Sequence, residues 1–294
     1  MTGKLAVRSF RRACVLVAVL LLLAPCAVAQ ADFSATITFG DSLTHNDLLG
    51  FPFKMDLYGA DPMEAVFQKA HLGGDKLTNY AVAGSHTSHG LAQITVYGLQ
   101  VLANSRPWAT LISYELGGND LLDEARTLGA GPPGQNPAGD QVIDRRLKDI
   151  LEQLHLLYLF HPRAKFVIWT LPDVTYTPDK WDMRLTQAGT NFRAHLARLN
   201  NVIRSLEVLP QVVVLDTETL IRQLVQNPPV IRQRVLVGPP SRGGYDHLFA
   251  DTIHPTAVAN AILANVILVR MNARWNTQFV TYTESELAAL ARIP

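Results

Sequence analysis

Short apolar runs alternate along this chain with longer stretches in which apolar residues recur every three or four positions. Ala35–Phe39 reads as a buried strand, and Met63–His71 as a helix entered through Asp61-Pro62, a capping residue and a first-turn proline. A second strand is expected over Leu77–Val82. The run "HGLAQITVYGLQVLAN" has helical spacing and leads into a third strand, Ala109–Leu116. "TLGAGPPGQNPAGD", rich in Gly and Pro, reads as a loop. Val142, Ile143, Leu147, Ile150, Leu151, Leu154 and Leu157 then mark one face of a long helix. "AKFVIWTLP" is a fourth strand, Leu185–Leu206 a helix and "QVVVLDT" a fifth strand. Ala257–Met271 and Glu284–Arg292 close the pattern as helices.

Apolar strands separated by amphipathic helices predict an α/β fold whose parallel sheet is covered on both faces. In such sheets ligands bind beyond the carboxyl ends of the strands. Ser42, Gly84, Asn119 and Asp173 each follow a predicted strand closely, so the topology gathers their loops at one edge.

The first residues have a different character. Lys4, Arg8, Arg11 and Arg12 precede an apolar run from Ala13 to Ala24, and Ala27-Val28-Ala29 offers a small-x-small cleavage site. This is the layout of a signal peptide over residues 1–29, with a single domain expected over 30–294. Pro25 before Cys26 argues against lipoprotein processing, and the residues after Arg11-Arg12 do not follow the twin-arginine pattern. The leader carries four of the 26 Lys and Arg and none of the 25 Asp and Glu, leaving a net charge near −3. That charge favours neither nucleic acid nor an anionic membrane surface as partner. Both cysteines, Cys14 and Cys26, leave with the leader, so no disulfide, thiol nucleophile or cysteine metal site is expected. The product is expected to be exported, periplasmic or extracellular, with no stable membrane insertion.

Candidate chemistry begins at "TFGDSLT". Gly40, Asp41 and Ser42 are all turn formers, and a plain turn accounts for them unless the chain supplies partners. A serine nucleophile needs a base, a group orienting that base, and donors for the oxyanion. Asp251-Thr252-Ile253-His254-Pro255 places a carboxylate and an imidazole three residues apart on one turn. Pro255 biases His254 away from helical geometry and suits the first position of the following helix. The alternative for this segment is a capping aspartate with an exposed histidine. His161-Pro162 lacks the carboxylate, with Tyr158 in its place, and reads as a helix terminator. "NYAVAGSHT" supplies Asn79, Ala81 and Gly84, and "YELGGNDLL" supplies Gly117, Asn119 and Asp120. A glycine N–H and an asparagine amide are suitable oxyanion donors, although both segments also suit ordinary turns.

"FGDSLT", "NYAVAG", "GGND" and "DTIHP" together resemble, in order and context, the GDSL or SGNH hydrolases, over Thr38 to Pro255. The resemblance implies a flavodoxin-like three-layer α/β/α sandwich with a mainly parallel five-stranded sheet, and ester hydrolysis without metal or cofactor. By position, Ser42 resembles the nucleophile, His254 the base and Asp251 its orienting carboxylate. The N–H groups of Ser42 and Gly84 and the side chain of Asn119 resemble the oxyanion hole. The expected substrate is a small-molecule, lipid or glycan ester. A carbohydrate O-deacetylase or an acyltransferase would use the same acyl-enzyme, and a non-catalytic binding protein is the alternative from another class.

Other features are weaker. Asp41 and Asp120 are expected to fix loops rather than transfer protons. His86, His89 and His45 lack the context of a metal cluster and are expected to contact substrate or solvent. The Thr127–Gly139 loop is either a lid or a solvated connection. Tyr245, His247, Leu248 and Phe249 are placed to shape a pocket, and the neighbours Asp246 and His247 are not expected to face each other.

Overall fold

A computed structural model describes residues 32–44, 57–70, 72 and 77–294. The leader segment and His45 lie outside the described residues. Five strands, β1 (Thr36–Phe39), β2 (Thr78–Asn79), β3 (Leu111–Tyr114), β4 (Lys165–Trp169) and β5 (Val212–Leu215), form one sheet of order β2-β1-β3-β4-β5. Every neighbouring pair is parallel, with Ile37 opposite Ile112 and Ile112 opposite Phe166 in the central register.

Nine helices connect or flank the strands among the described residues: α1 (Pro62–Ala70), α2 (Gly90–Leu102), α3 (Gly118–Asp123), α4 (Ala125–Gly129), α5 (Pro137–Phe160), α6 (Gln187–Ser205), α7 (Thr217–Gln226), α8 (Ala257–Trp275) and α9 (Glu284–Leu290). Side chains alternate across a strand, so Ile37, Phe39, Ile112, Tyr114, Phe166, Ile168, Val212 and Val214 share one face. They join Tyr97 of α2, Ile150 and Leu157 of α5, and Phe192 and Leu199 of α6 in the main core. On the opposite face α1 packs on α8, and α8 on β5. The result is three layers, helix, sheet and helix.

Local chemistry sets the ends of these elements. Asp61 caps α1, its Oδ1 accepting from the N–H groups of Met63 and Glu64 at 2.8 and 2.9 Å, with Pro62 in the first turn. Thr256 caps α8, so Pro255 stands one residue outside the cap and not at the first helical position expected for it. The threonine hydroxyl both accepts from the Ala259 N–H and donates to the His247 carbonyl. His161 does end α5, buried and stacked on Tyr97 at 5.4 Å. Burial lowers its pKa to about 4.

Three expectations change. The second strand shrinks from Leu77–Val82 to two residues, because only Thr78 and Asn79 pair with β1 before the chain turns at Val82. The Thr127–Gly139 segment is helical at both ends, leaving residues 130–136 as the connection. Asn136 pins that connection, donating to Thr127 O at 2.7 Å and accepting from Gly139 N, which weighs against a free lid. The Gly-Asn-Asp segment begins α3 directly rather than a loop.

The strand order reverses direction between β1 and β3, and ligands bind beyond the carboxyl ends of strands at such a switch point. The chain leaves β1 through Gly40, where a Cβ would meet Thr44 Oγ1 at 2.0 Å and Glu115 O at 2.7 Å. Gln93 of α2 clamps the same residue. Its Oε1 accepts from Gly40 N at 3.0 Å and its Nε2 donates to Gly40 O at 2.8 Å. Val82 N also donates to Gly40 O, so Gln93→Leu would orphan the Gly40 N–H and take from the buried Ser85 Oγ the donor that Gln93 Nε2 supplies at 3.2 Å. That variant should lose about 1–3 kcal/mol of stability, read from denaturant unfolding beside the parent.

Candidate functional site

The turn after β1 presents Ser42, and its backbone is held by Asp41. Asp41 Oδ1 accepts from Leu43 N at 3.0 Å, and Thr44 N donates to Asp41 O at 3.3 Å. Asn79 ties this turn to the segment after β2, donating to Thr44 O and accepting from Ala81 N.

His254 approaches from the turn before α8. Its Nε2 lies 2.8 Å from Ser42 Oγ and its Nδ1 lies 2.7 Å from Asp251 Oδ2, so one hydrogen-bonded line runs from carboxylate to hydroxyl. Asp251 Oδ1 accepts from the N–H groups of Ile253 and His254, both at 2.7 Å. The turn is anchored further by Ala250 N donating to His254 O and by Asp179 N donating to Thr252 O. Burial opposes the charge on Asp251. The hydrogen bonds from the His254 ring and from the two backbone N–H groups overcome it and hold the carboxyl well below its usual range. Tyr58 adds a donor to Asp251 Oδ2 at 3.1 Å and sets its ring edge-on to His254. Sequence reasoning missed Tyr58, and nothing in its surroundings in the sequence marks it.

The three expected oxyanion donors are not equivalent. Gly84 has φ +77°, a conformation that favours glycine. Among the described residues nothing accepts from the N–H groups of Ser42 and Gly84. Asn119, by contrast, uses its amide hydrogens within the fold. Nδ2 donates to Ser85 O at 2.9 Å and to Asp41 Oδ2 at 3.1 Å. Those bonds carry its side chain to the Ser42 turn, so any further acceptor for its amide would compete with Asp41 or Ser85 for one hydrogen.

Beneath this edge lies an unforeseen carboxyl pair. Asp41 and Glu115 are each 2% exposed, and Asp41 N donates to Glu115 Oε2 at 3.3 Å. Burial, followed by the charge of Asp41, raises Glu115 well above the usual carboxylate range. Asp41 is raised too, chiefly by burial, while the Leu43 N–H, Glu115 and His254 pull in the other direction. The "YEL" preceding Gly-Gly-Asn-Asp carried the signal, since a glutamate inside an apolar strand exit is unusual. Asp120 and Asp173 are buried loop fasteners. Asp120 accepts from Thr87 N at 2.7 Å and pairs with Arg146, and Asp173 accepts from the N–H and hydroxyl of Thr175.

The histidines expected near the site divide. His86 Nε2 pairs with Asp123 Oδ2 at 2.9 Å, and His86 N donates to His89 Nδ1. Among the described residues no three His, Cys, Asp or Glu are grouped to hold a metal ion. Asp246 and His247 do meet, at 3.0 Å, because the tight turn folds His247 back over Gly244. His247 Nε2 then reaches Ser241 Oγ, not Ser42. Tyr245 stacks under the Arg292 guanidinium, whereas Leu248 and Phe249 line the cavity beside Ser42. That cavity holds about 90 Å³ and runs from Ser42 and Asn119 past Trp169 and Val174 to Ile221 and Val225 of α7.

The model of the family described as GDSL-like lipase/acylhydrolase matches residues 37–267. No curated protein matches the chain. Among solved structures, the lipase Lip_vut3 from a goat rumen metagenome is 14% identical with a TM-score of 0.54, covering 80% of this chain and 96% of its own. An extracellular lipase from Streptomyces rimosus is 16% identical with a TM-score of 0.51, covering 82% and 99% respectively. At these identities the likeness speaks for the fold.

A carboxyl whose folded pKa lies above its unfolded value stabilises the fold at low pH and loses that contribution as pH rises toward the folded value. Glu115→Gln keeps an acceptor for Asp41 N and removes the ionisation. It should therefore raise the thermal midpoint relative to the parent at pH 8 and not at pH 4. Equal midpoint differences at both pH values would show that Glu115 does not hold its proton in the fold.

Proposed function

This chain belongs to the GDSL-like lipase/acylhydrolase family and is a carboxylic ester hydrolase, and we propose that Ser42 is its nucleophile. The observation that carries this reading is the unbroken line Asp251, His254, Ser42, with contacts of 2.7 and 2.8 Å. Ser42 Oγ attacks the ester carbonyl while His254 Nε2 takes its proton. Asp251 holds the imidazole by Nδ1 and stabilises the cation that forms. The oxyanion is received by the N–H groups of Ser42 and Gly84, and by Asn119 once it releases one internal partner. His254 then protonates the departing alcohol, and water repeats the cycle on the acyl-enzyme. Asp41, Asn79 and Gln93 position the turn and take no part in proton transfer.

Residues 1–29 we read as an export leader, on the strength of their charged, apolar and small-residue layout, with the remaining chain as one hydrolase domain outside the cytoplasm. No helix among the described residues is long and apolar enough to cross a membrane.

Two variants test the site on a simple activated ester. Ser42→Ala should abolish turnover above background. Asn119→Ala should lower kcat by on the order of 10²–10³, with folding checked by circular dichroism. Full activity in Asn119→Ala would remove Asn119 from the oxyanion hole, and full activity in Ser42→Ala would sink the nucleophile assignment.

A further inference from the structure

The cavity beside Ser42 discriminates between the ester classes this site could take. Its wall is built from side chains such as Leu43, Trp169, Val174, Ile221, Val225 and Phe249. The threonine hydroxyls and the tryptophan N–H along it are already engaged within the protein, and Glu115 Oε1 is the buried oxygen of the wall that has no partner among the described residues. Thr170 Oγ1 bonds to Asp216 and Thr217, Thr217 Oγ1 donates to Thr170 O, and Thr177 Oγ1 donates to Val174 O. Trp169 Nε1 donates to Ser113 Oγ at 3.2 Å. A sugar ring entering here would bury hydroxyl groups without partners, which is unfavourable. A hydrocarbon chain would lose nothing and gain the burial of its surface.

Direction matters as much as lining. The leaving alcohol must lie against His254 Nε2, which protonates it. His254 is not part of the cavity wall, although its neighbours Ile253 and Pro255 are. Gly84 also lies outside that wall, in the lining of a separate hollow with Asn79 and Ser85. With the oxyanion turned toward Gly84 and the alcohol toward His254, the remaining substituent of the carbonyl carbon is left facing the cavity.

Resting on Ser42 as nucleophile, we propose that this cavity is an acyl-chain site selecting unbranched aliphatic acyl groups of medium length over acetyl groups. Its volume of about 90 Å³ accommodates roughly six to nine water-sized groups. A methylene displaces about the same volume as a water molecule, so the optimum falls near eight carbons. The partly exposed face of α7 forms its far wall, where Ile221 and Val225 set the limit on chain length.

The test is a series of p-nitrophenyl esters from acetate through butyrate, hexanoate and octanoate to palmitate, which share one alcohol. Each methylene that enters the cavity should raise kcat/KM about 3- to 4-fold, giving a gain on the order of 10³ from acetate to octanoate and none beyond about ten carbons. Ile221→Trp and Val225→Trp, made separately, should each lower the octanoate-to-acetate ratio at least about tenfold. Ser42-dependent hydrolysis that is fastest on acetate, with a ratio unmoved by both tryptophan variants, would overturn the acyl site and leave the nucleophile standing. Undiminished acetate hydrolysis by Ser42→Ala would instead overturn the reading on which the proposal rests.

Discussion

The contact between His254 and Ser42 joins residues 212 positions apart, and most of the structure near the site serves to keep that contact short. Neither partner holds itself in place. Ser42 sits on a turn whose entry, Gly40, is gripped by Gln93 from α2, and whose exit, Thr44, is gripped by Asn79 at the end of β2. His254 sits on a turn that folds around its own aspartate, with Asp251 Oδ1 accepting two successive backbone N–H groups. The parallel sheet brings the two turns to the same edge because β1 lies at the point where strand order reverses. A hydroxyl held 2.8 Å from a base aligned in this way loses little orientational freedom on reaction.

Charge placement follows from the same requirement. Asp251 is partly open to solvent and keeps its charge because three protein groups, the His254 ring and two backbone N–H groups, donate to it, with Tyr58 adding a fourth bond. Asp41 is closed off, and its neighbour Glu115 is the group that gives up ionisation. The carboxylate that the proposed mechanism keeps anionic, Asp251, is thus placed where water and donors support it. The one beneath the nucleophile is placed to organise Leu43 and Asn119. Chemical type is the same in both, and environment separates their roles.

Much of this was legible in the chain. The alternation of apolar runs with helical spacing yields the five strands and six of the nine helices among the described residues, since burial on both faces of a parallel sheet leaves a plain pattern. The four motif blocks name Ser42, Gly84, Asn119, Asp251 and His254, and the fold brings all five to one edge. What escaped depends on contacts far apart in sequence or on short elements. Gln93 and Tyr58 act through partners 53 and 193 residues away, so no local pattern marks them. Helix α7 went unnoticed although Asp216 caps it and Leu220, Ile221, Leu224 and Val225 have helical spacing. The meeting of Asp246 with His247 shows the limit of reasoning by residue spacing, which presumes regular geometry that a glycine-rich turn does not keep.

The central claim is that Ser42 is a nucleophile made reactive by His254. Labelling the folded protein with a fluorophosphonate probe and locating the adduct by peptide mass spectrometry measures this directly, whatever the natural ester is. The account predicts a single adduct on Ser42, slowed by at least about a hundredfold in His254→Ala. An adduct on Ser241 or elsewhere with Ser42 unmodified, or labelling of Ser42 that is indifferent to the loss of His254, would contradict it.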